Sequence, residues 1–305
     1  MRYLISGGTG FIGRALSQAL LSRGDEAWIV TRKPPARPPF GGIRYVTWEE
    51  LTADPMRFGG FDGVVNLAGE SINQRWTSKA KARIVASRTA ATARIAEFMQ
   101  RTDNPPPVVV NASGISLYGH SGDEVFDESS PPKPADFLGD TVMRWEEAAD
   151  RIPAERLVKL RIGLVCAREG GAFPLLRLPY RLFGGGRIGD GKQGLPWIHL
   201  QDMVALILFC LDRTDISGPV NAVAPAPVSN DEFGRTLGLV TGRPHWFPVP
   251  AALLKTALGE MSTLVLTGQK AMPRKLLDHG FQFAFPKLEE ALRDITEATE
   301  KVHFR

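Results

Sequence analysis

The apolar positions of this 305-residue chain fall into short continuous runs separated by stretches at helical spacing. Tyr3-Leu4-Ile5 is a β-prone run, and Phe11 to Ser22 then repeats its apolar residues with the period of a helix. Gly24 supplies the stop, and Ala27 to Thr31 reads as a second strand running into Arg32, Lys33 and a proline-rich loop. Further strands are expected over 43–47, 61–69, 108–113 and 157–165, with a late one over 221–227. The pattern predicts helices over 78–101, 136–150, 231–241, 251–260 and 288–299, and a further one on the apolar run 203–211. Near-continuous apolar strands such as 108–113 suit a parallel sheet buried on both faces. The alternation predicts an α/β fold, a Rossmann-type doubly wound parallel sheet with right-handed crossovers. Past residue 166 the texture changes, with glycine-rich segments around short apolar helices. The expected division is a first domain over 1–166 and a smaller C-terminal domain mainly over 167–305, some segments of which return to the first.

Between the first strand and the first helix lies Gly7-Gly8-Thr9-Gly10-Phe11-Ile12-Gly13. It satisfies both G-x-G-x-x-G and G-x-x-G-x-x-G, and its place after a strand and before an amphipathic helix is the context that gives the motif meaning. The early glycines turn the chain off the strand. Gly10 has no side chain to hold off a pyrophosphate, and Gly13 lets the helix pack close to the sheet. The helix N-terminus then offers N–H groups and the positive end of its dipole to phosphates. An acid at the end of the second strand would favour NAD, whereas an arginine there accommodates a 2′-phosphate. Thr31-Arg32 stands at that position, so NADP(H) is the expected cofactor.

Composition narrows the remaining classes. Apolar residues make up 43% of the chain, enough for a sizeable core, and the net charge of +4 comes without a dense Lys/Arg run, so nucleic acid is not an expected partner. The two cysteines, Cys166 and Cys210, sit inside apolar runs and read as buried hydrophobes. Five scattered histidines give no metal site. A strand beginning at residue 2 leaves no room for a signal peptide, and the 203–211 run is too short to span a bilayer. A soluble, reduced, cytoplasmic protein with no membrane partner is expected, acting on a small molecule the residues do not identify.

Asn66-Leu67-Ala68-Gly69, Asn111-Ala112-Ser113 with Tyr118-Gly119, and Pro196-Trp197-Ile198-His199-Leu200-Gln201-Asp202-Met203 extend the pattern. Together with the opening glycines they resemble the extended short-chain dehydrogenase/reductases. Gly69-Glu70-Ser71, Arg75-Trp76, Ser87-Arg88, Trp145-Glu146, Gly268-Gln269-Lys270 and Gly280-Phe281 resemble, more narrowly, the atypical epimerase-family proteins, some labelled cell-division inhibitors. The resemblance covers essentially the whole chain. It implies that Gly7, Thr9, Gly10, Phe11 and Ile12 face the pyrophosphate and that Thr31 and Arg32 lie near the adenosine ribose. It also implies that Leu67, Ala68 and Gly69 line the middle of the cofactor, and that Ala112 and Ser113 sit near the nicotinamide. A homodimer through the two long helices is the superfamily's usual assembly and is an expectation of the resemblance alone.

One element of that superfamily is missing. Its chemistry rests on a Tyr-x-x-x-Lys pair on the helix after the fifth strand, the lysine lowering the phenol's pKa so that it acts as a base. The pair should fall near Leu138 and Val142, yet 136–151 contains neither tyrosine nor lysine. Ser113 and Tyr118 are the candidate catalytic hydroxyls. Glu70 could donate a proton if buried, and Arg75, Lys79 and Lys81 could bind an anionic substrate. His199 and Asp202 read as helix-entry and packing residues. Two functions stay open: an NADP(H)-dependent oxidoreductase acting on a small carbonyl or sugar-like substrate, and a catalytically silent NADP(H)-binding regulator or sensor.

Overall fold

The computed structural model describes residues 1–35, 42–58 and 60–297. The chain forms two compact units. The first comprises Met1–Ser113, Thr141–Arg161 and Val204–Val220, the second Gly114–Asp140, Ile162–Met203 and Asn221–Arg305. The division recurs along the chain, with Val204–Val220 in the first unit. The long segment 114–140, expected in the first domain, belongs to the second unit.

The first unit is built on strands β1 (Arg2–Ser6), β2 (Glu26–Val30), β3 (Ile43–Val46), β4 (Gly63–Asn66) and β5 (Val108–Gly114), joined by two later strands, Arg156–Ile162 and Gly218–Ala222. Their order across the seven-stranded sheet is Gly218–Ala222, Arg156–Ile162, β5, β4, β1, β2, β3. The pairs from β5 through β3 are parallel, with Ser6 beside both Val30 and Asn66. The order reverses between β1 and β4, which is the topological switch point of a doubly wound sheet. Helices α1 (Phe11–Ser22), α2 (Trp48–Ala53) and α3 (Ser78–Arg101) connect these strands, and the 141–149 part of α4 (Phe137–Ala149) also lies in this unit. Leu4, Val64 and Val109 from the sheet pack with Ile95, Phe98 and Met99 of α3 and with Ala149. Burying such side chains contributes roughly 1.5–3 kcal/mol each.

In the second unit, Phe173, Tyr180, Trp197, Phe233, Leu237, Leu288, Leu292 and Ile295 form one core, and Ile115, Tyr118, Phe126, Val223 and Ala271 a smaller cluster. Two local readings are corrected here. The strand expected over 157–165 is two strands: Arg156–Ile162 in the main sheet, and Leu164–Cys166 paired with Trp197–His199. Gly163 makes the break, because a Cβ there would lie 2.5 Å from the Pro196 carbonyl. The late strand spans Gly218–Ala222 and not 221–227; it is an edge strand, where Pro219 forfeits no ladder bond. The helix over Phe173–Arg181 ends in a Schellman turn: the Gly184 N–H donates to the Pro179 carbonyl at 2.9 Å and the Phe183 N–H to that of Tyr180 at 3.0 Å. Phe183 holds the left-handed position of that turn, at φ 58°, where glycine is usual.

Candidate functional site

The β1–α1 turn meets the end of β4 at the switch point. Gly7 has φ 77°, and a Cβ on it would lie 2.6 Å from the Leu67 carbonyl carbon. The two strand ends are locked by the Leu67 N–H donating to the Ser6 carbonyl at 2.8 Å. Gly13 is tighter still: its Cβ would meet the Gly7 carbonyl oxygen at 2.4 Å and the Gly8 Cα at 2.6 Å. Gly10 differs, since a Cβ there would have a single neighbour, the Gly7 oxygen at 3.1 Å. Gly10 is also the N-cap of α1, so no side chain caps the helix, and its first turn has no acid. Four N–H groups at any helix start lack intrahelical partners; here they end in an exposed Thr9-Gly10 turn. Close backbone contacts thus require glycine at positions 7 and 13, whereas Gly10 leaves open space. A phosphate fits that arrangement.

At the end of β2, the Thr31 N–H donates to the Val46 carbonyl at 2.9 Å, fixing the strand end. Arg32 next to it is exposed and has no acidic partner among the described residues. After β4, the Ala68 N–H donates to Asn66 Oδ1 at 3.3 Å, and Gly69 lies against the Arg88 guanidinium, its Cβ position 3.0 Å from Arg88 Cζ. Arg88 on α3 donates to the Glu70 and Ile84 carbonyls, each at 3.0 Å, and stacks over Trp145 at 5.2 Å. Burial pulls its pKa down to about 10, with Glu70 acting against that shift. Beneath this loop, Asn66 Nδ2 donates to Asn111 Oδ1 at 2.6 Å and to Thr92 Oγ1 at 3.1 Å, which also accepts from Trp145 Nε1 at 3.1 Å. The Asn66 and Asn111 strand ends are thereby tied to α3 and α4 by fully satisfied buried polar groups, which rigidify the loop above them.

Ser113 closes β5. It is buried, and its hydroxyl donates to Glu146 Oε1 at 2.6 Å. Glu146 in turn accepts from Arg161, Nε to Oε1 at 2.9 Å and Nη2 to Oε2 at 3.1 Å. Lys159 lies 3.6 Å from Oε2 and donates to Asp150 at 2.8 Å. The placement follows from two periodicities. Lys159 and Arg161 are two apart on a strand adjacent to β5, so they share its face. Glu146 stands four residues after Val142, one helical turn beyond the expected lysine position. Burial pushes the Glu146 pKa up, but hydrogen bonding and charge from Arg161, the Ser113 hydroxyl and Lys159 outweigh it, and the net direction is down. Glu146 is a carboxylate at neutral pH. In the sequence, Trp145-Glu146 stands out as a family marker and as an anchor for the missing Tyr-x-x-x-Lys positions, not as a partner of Ser113. The signal that could have exposed its partners was a pair of cations two residues apart, Lys159 and Arg161, within a strand whose other inner positions are apolar.

Glu70 accepts from Gln74 Nε2 at 2.9 Å and Arg83 Nε at 3.0 Å, and these bonds hold its carboxyl below the ordinary range. It is therefore ionised, and unsuited to donate a proton.

In the second unit, Tyr118 is fully buried, its ring stacked on Phe126 at 5.2 Å and its hydroxyl donating to Asn221 Oδ1 at 2.9 Å. That is a packing arrangement. Tyr118→Phe should lower stability by about 1–3 kcal/mol by orphaning a buried acceptor, measurable in urea. An unchanged midpoint would contradict this reading. Asp202 accepts from the Ala284 and Phe285 N–H groups at 2.7 and 2.9 Å, and the His199 ring lies 4.0 Å from that of Phe285, so both residues pack the chain together. Among the described residues, no three His, Cys, Asp or Glu side chains are placed to hold a metal, and no helix is long and apolar enough to cross a membrane.

Comparison with known proteins agrees with this geometry. The model of the NAD dependent epimerase/dehydratase family matches residues 3–137, and a domain of unknown function matches 249–295. The epimerase family protein YfhF of Bacillus subtilis is 39% identical over 298 residues, covering 97% of this chain and 98% of that protein. The crystal structure of human epimerase family protein SDR39U1 (isoform 2) with NADPH superposes with a TM-score of 0.90 at 39% identity, covering 97% of this chain and 99% of that one. MoeE5 in complex with UDP-glucose and NAD, 24% identical over 99% of both chains, shares the fold with a TM-score of 0.76. With a Rossmann-type switch-point cradle and full-length relatives of this identity, the chain belongs to the epimerase family.

Proposed function

We propose that this protein is an NADP(H)-dependent oxidoreductase acting on a small carbonyl or sugar-like substrate. The observation that carries the reading is the cradle at the switch point: backbone closed at Gly7 and Gly13, open above Gly10, and facing an uncapped helix start. Gly7, Thr9, Gly10, Phe11 and Ile12 would hold the pyrophosphate, Thr31 and Arg32 the adenosine ribose and its 2′-phosphate. Leu67, Ala68 and Gly69 would line the middle, and Ala112 and Ser113 the nicotinamide end. When bound, the nicotinamide supplies the hydride chemistry, and the protein supplies orientation and proton handling.

Proton handling then falls to Ser113. Its hydrogen is directed at Glu146, so its oxygen presents lone pairs to a ligand. A substrate hydroxyl would donate to Ser113 Oγ as the Ser113 proton passes to Glu146 Oε1. Arg161 keeps that carboxylate ionised and in place. This replaces the absent Tyr-x-x-x-Lys pair with groups on β5, α4 and the strand beside β5. The silent-sensor alternative requires no hydroxyl held against a buried, paired carboxylate.

The test is selective stabilisation, since a ligand bound only by the native state raises its apparent stability. NADPH should raise the unfolding temperature more than NADH at equal concentration. Arg32→Ala should weaken NADPH by about 10- to 100-fold, the worth of a charge-assisted contact, and leave NADH within about two-fold. Equal shifts for the two nucleotides would overturn the assignment of Arg32.

A further inference from the structure

The second unit carries a set of exposed large apolar residues. Leu182 is 72% exposed, Phe183 54%, Trp246 68%, Phe247 60% and Leu253 60%. Phe183, Trp246 and Phe247 adjoin one another. Trp246 Nε1 donates to the Phe183 carbonyl at 3.4 Å, the Trp246 and Phe247 rings meet edge-on at 6.3 Å, and the chain runs directly from them into the Ala251–Leu258 helix. That helix reads Ala-Ala-Leu-Leu-Lys-Thr-Ala-Leu and has no buried residue. On the Phe173–Arg181 helix, Leu175 and Leu178 are exposed as well. Apolar patches of this kind mark interaction surfaces.

Charge says what kind. Segments 173–187 and 242–258 contain no aspartate or glutamate, and between them they hold Arg177, Arg181, Arg187, Arg243 and Lys255. Arg177 is partly buried, and after burial itself the charges of Arg181 and Arg168 push its pKa down, as expected where cations crowd without an acid. Arg243 covers the Phe183 ring at 4.1 Å. Beside Trp246, a cavity of about 140 Å³ is lined by Arg187, Arg235, His245 and Asp231, and Asp231 is already engaged by Arg235 at 2.7 Å and His245 at 2.9 Å. A second copy using the same patch would set arginine against arginine.

Phe183 supplies an independent observation. It occupies a left-handed turn position that glycine would fill without strain, and it leaves its ring largely in solvent. Neither backbone geometry nor core packing calls for a phenylalanine there; its one described ring contact is the Arg243 guanidinium. Exposed tryptophan, phenylalanine and leucine with an arginine rim, where the cavity's acid Asp231 is already paired with Arg235 and His245, is the composition of a surface that lies in a lipid interface.

We propose that this face, from the end of the Phe173–Arg181 helix through Trp246–Leu258, docks on an anionic phospholipid bilayer, with apolar side chains in the headgroup–acyl boundary and the arginines on lipid phosphates. The sequence-based expectation of no membrane partner rested on the lack of a spanning run; peripheral contact needs only a patch.

The test uses the full chain with vesicles of phosphatidylcholine alone and of phosphatidylcholine and phosphatidylserine in a three-to-one ratio, read by co-sedimentation and by tryptophan emission. The chain should partition onto the anionic vesicles, shift its emission to the blue, and release in high salt. Each arginine near an anionic leaflet contributes roughly five-fold, so Arg181→Glu with Arg187→Glu should lose at least ~25-fold. Phe183→Gly should leave the unfolding temperature the same or higher while weakening partition, a result that a purely structural phenylalanine would not give. The emission shift should disappear in Trp246→Phe while sedimentation persists. Equal binding to neutral and anionic vesicles, no binding to either, or a concentration-dependent dimer abolished by Leu182→Asp would each overturn the proposal.

Discussion

Gly10→Ala should leave the fold nearly intact and cost at least about 100-fold in NADPH affinity, the ~2.8 kcal/mol of one or two charge-assisted hydrogen bonds. The contrast with Gly13 makes the experiment decisive. An alanine Cβ at Gly10 meets only the Gly7 oxygen, at 3.1 Å, and the backbone there, φ −78° and ψ −177°, suits any residue. At Gly13 the added carbon is driven to 2.4 Å from a backbone oxygen that cannot move without opening the β1–α1 turn. Gly13→Val should therefore lose binding and about 1–3 kcal/mol or more of stability together, as overpacking does. Calorimetric titration and urea unfolding of both variants separate the two effects. If Gly10→Ala bound NADPH as tightly as the parent, the open space above that residue would not be where the phosphates lie.

Arg161→Met should destabilise the protein by about 3–5 kcal/mol, because it strands a buried carboxylate. The sign of its pH dependence is the more specific outcome. In the parent, the folded-state pKa of Glu146 lies below its ordinary value. Its contribution to stability is therefore present above the unfolded-state pKa and is lost as pH falls through the folded-state value. Without Arg161 the largest influence, burial, is opposed only by Ser113 and Lys159, and the folded-state pKa moves upward. The penalty for the substitution should grow as pH rises from acid to neutral, and be smallest where Glu146 is protonated in both states. A penalty independent of pH across the carboxylate range would mean that Arg161 acts by packing alone. Arg161→Lys restores the charge but not the two-pronged contact, so it should recover the pH profile more fully than the stability.

The parts of the fold legible in the sequence were those written in local pattern. The opening strand, the glycine turn and α1 stand where the periodicity placed them, and α3 spans Ser78–Arg101, the predicted limits. The elements that were missed have identifiable causes. Thr47 and Glu50 form a capping box for α2, a Thr-x-x-Glu signature in front of a helix of six residues, too short for apolar periodicity to show. The break at Gly163 depends on the approach of Pro196, a contact between residues far apart in sequence. The interleaving of the two units has the same origin, since periodicity reports which face of an element is buried and not what it is buried against. At the candidate site, the strand–turn–helix setting of the glycines was readable from motif. The Ser113–Glu146–Arg161 arrangement was not, because it brings a strand end, a helix and a neighbouring strand together across 48 residues of chain. Tyr118 shows the opposite error: its Tyr-Gly setting suggested a loop hydroxyl near chemistry, whereas Asn221 and Phe126 enclose it.

The most direct test of the central claim is a crystal structure of the protein with NADPH. The account predicts the pyrophosphate over Gly10 at the first turn of α1, the 2′-phosphate within reach of Arg32, and Ser113 Oγ within hydrogen-bond distance of the space above nicotinamide C4 while still donating to Glu146. A nucleotide bound away from the Gly7–Gly13 turn would contradict it, as would a complex in which Ser113 stays sealed behind Glu146 with no approach to the nicotinamide.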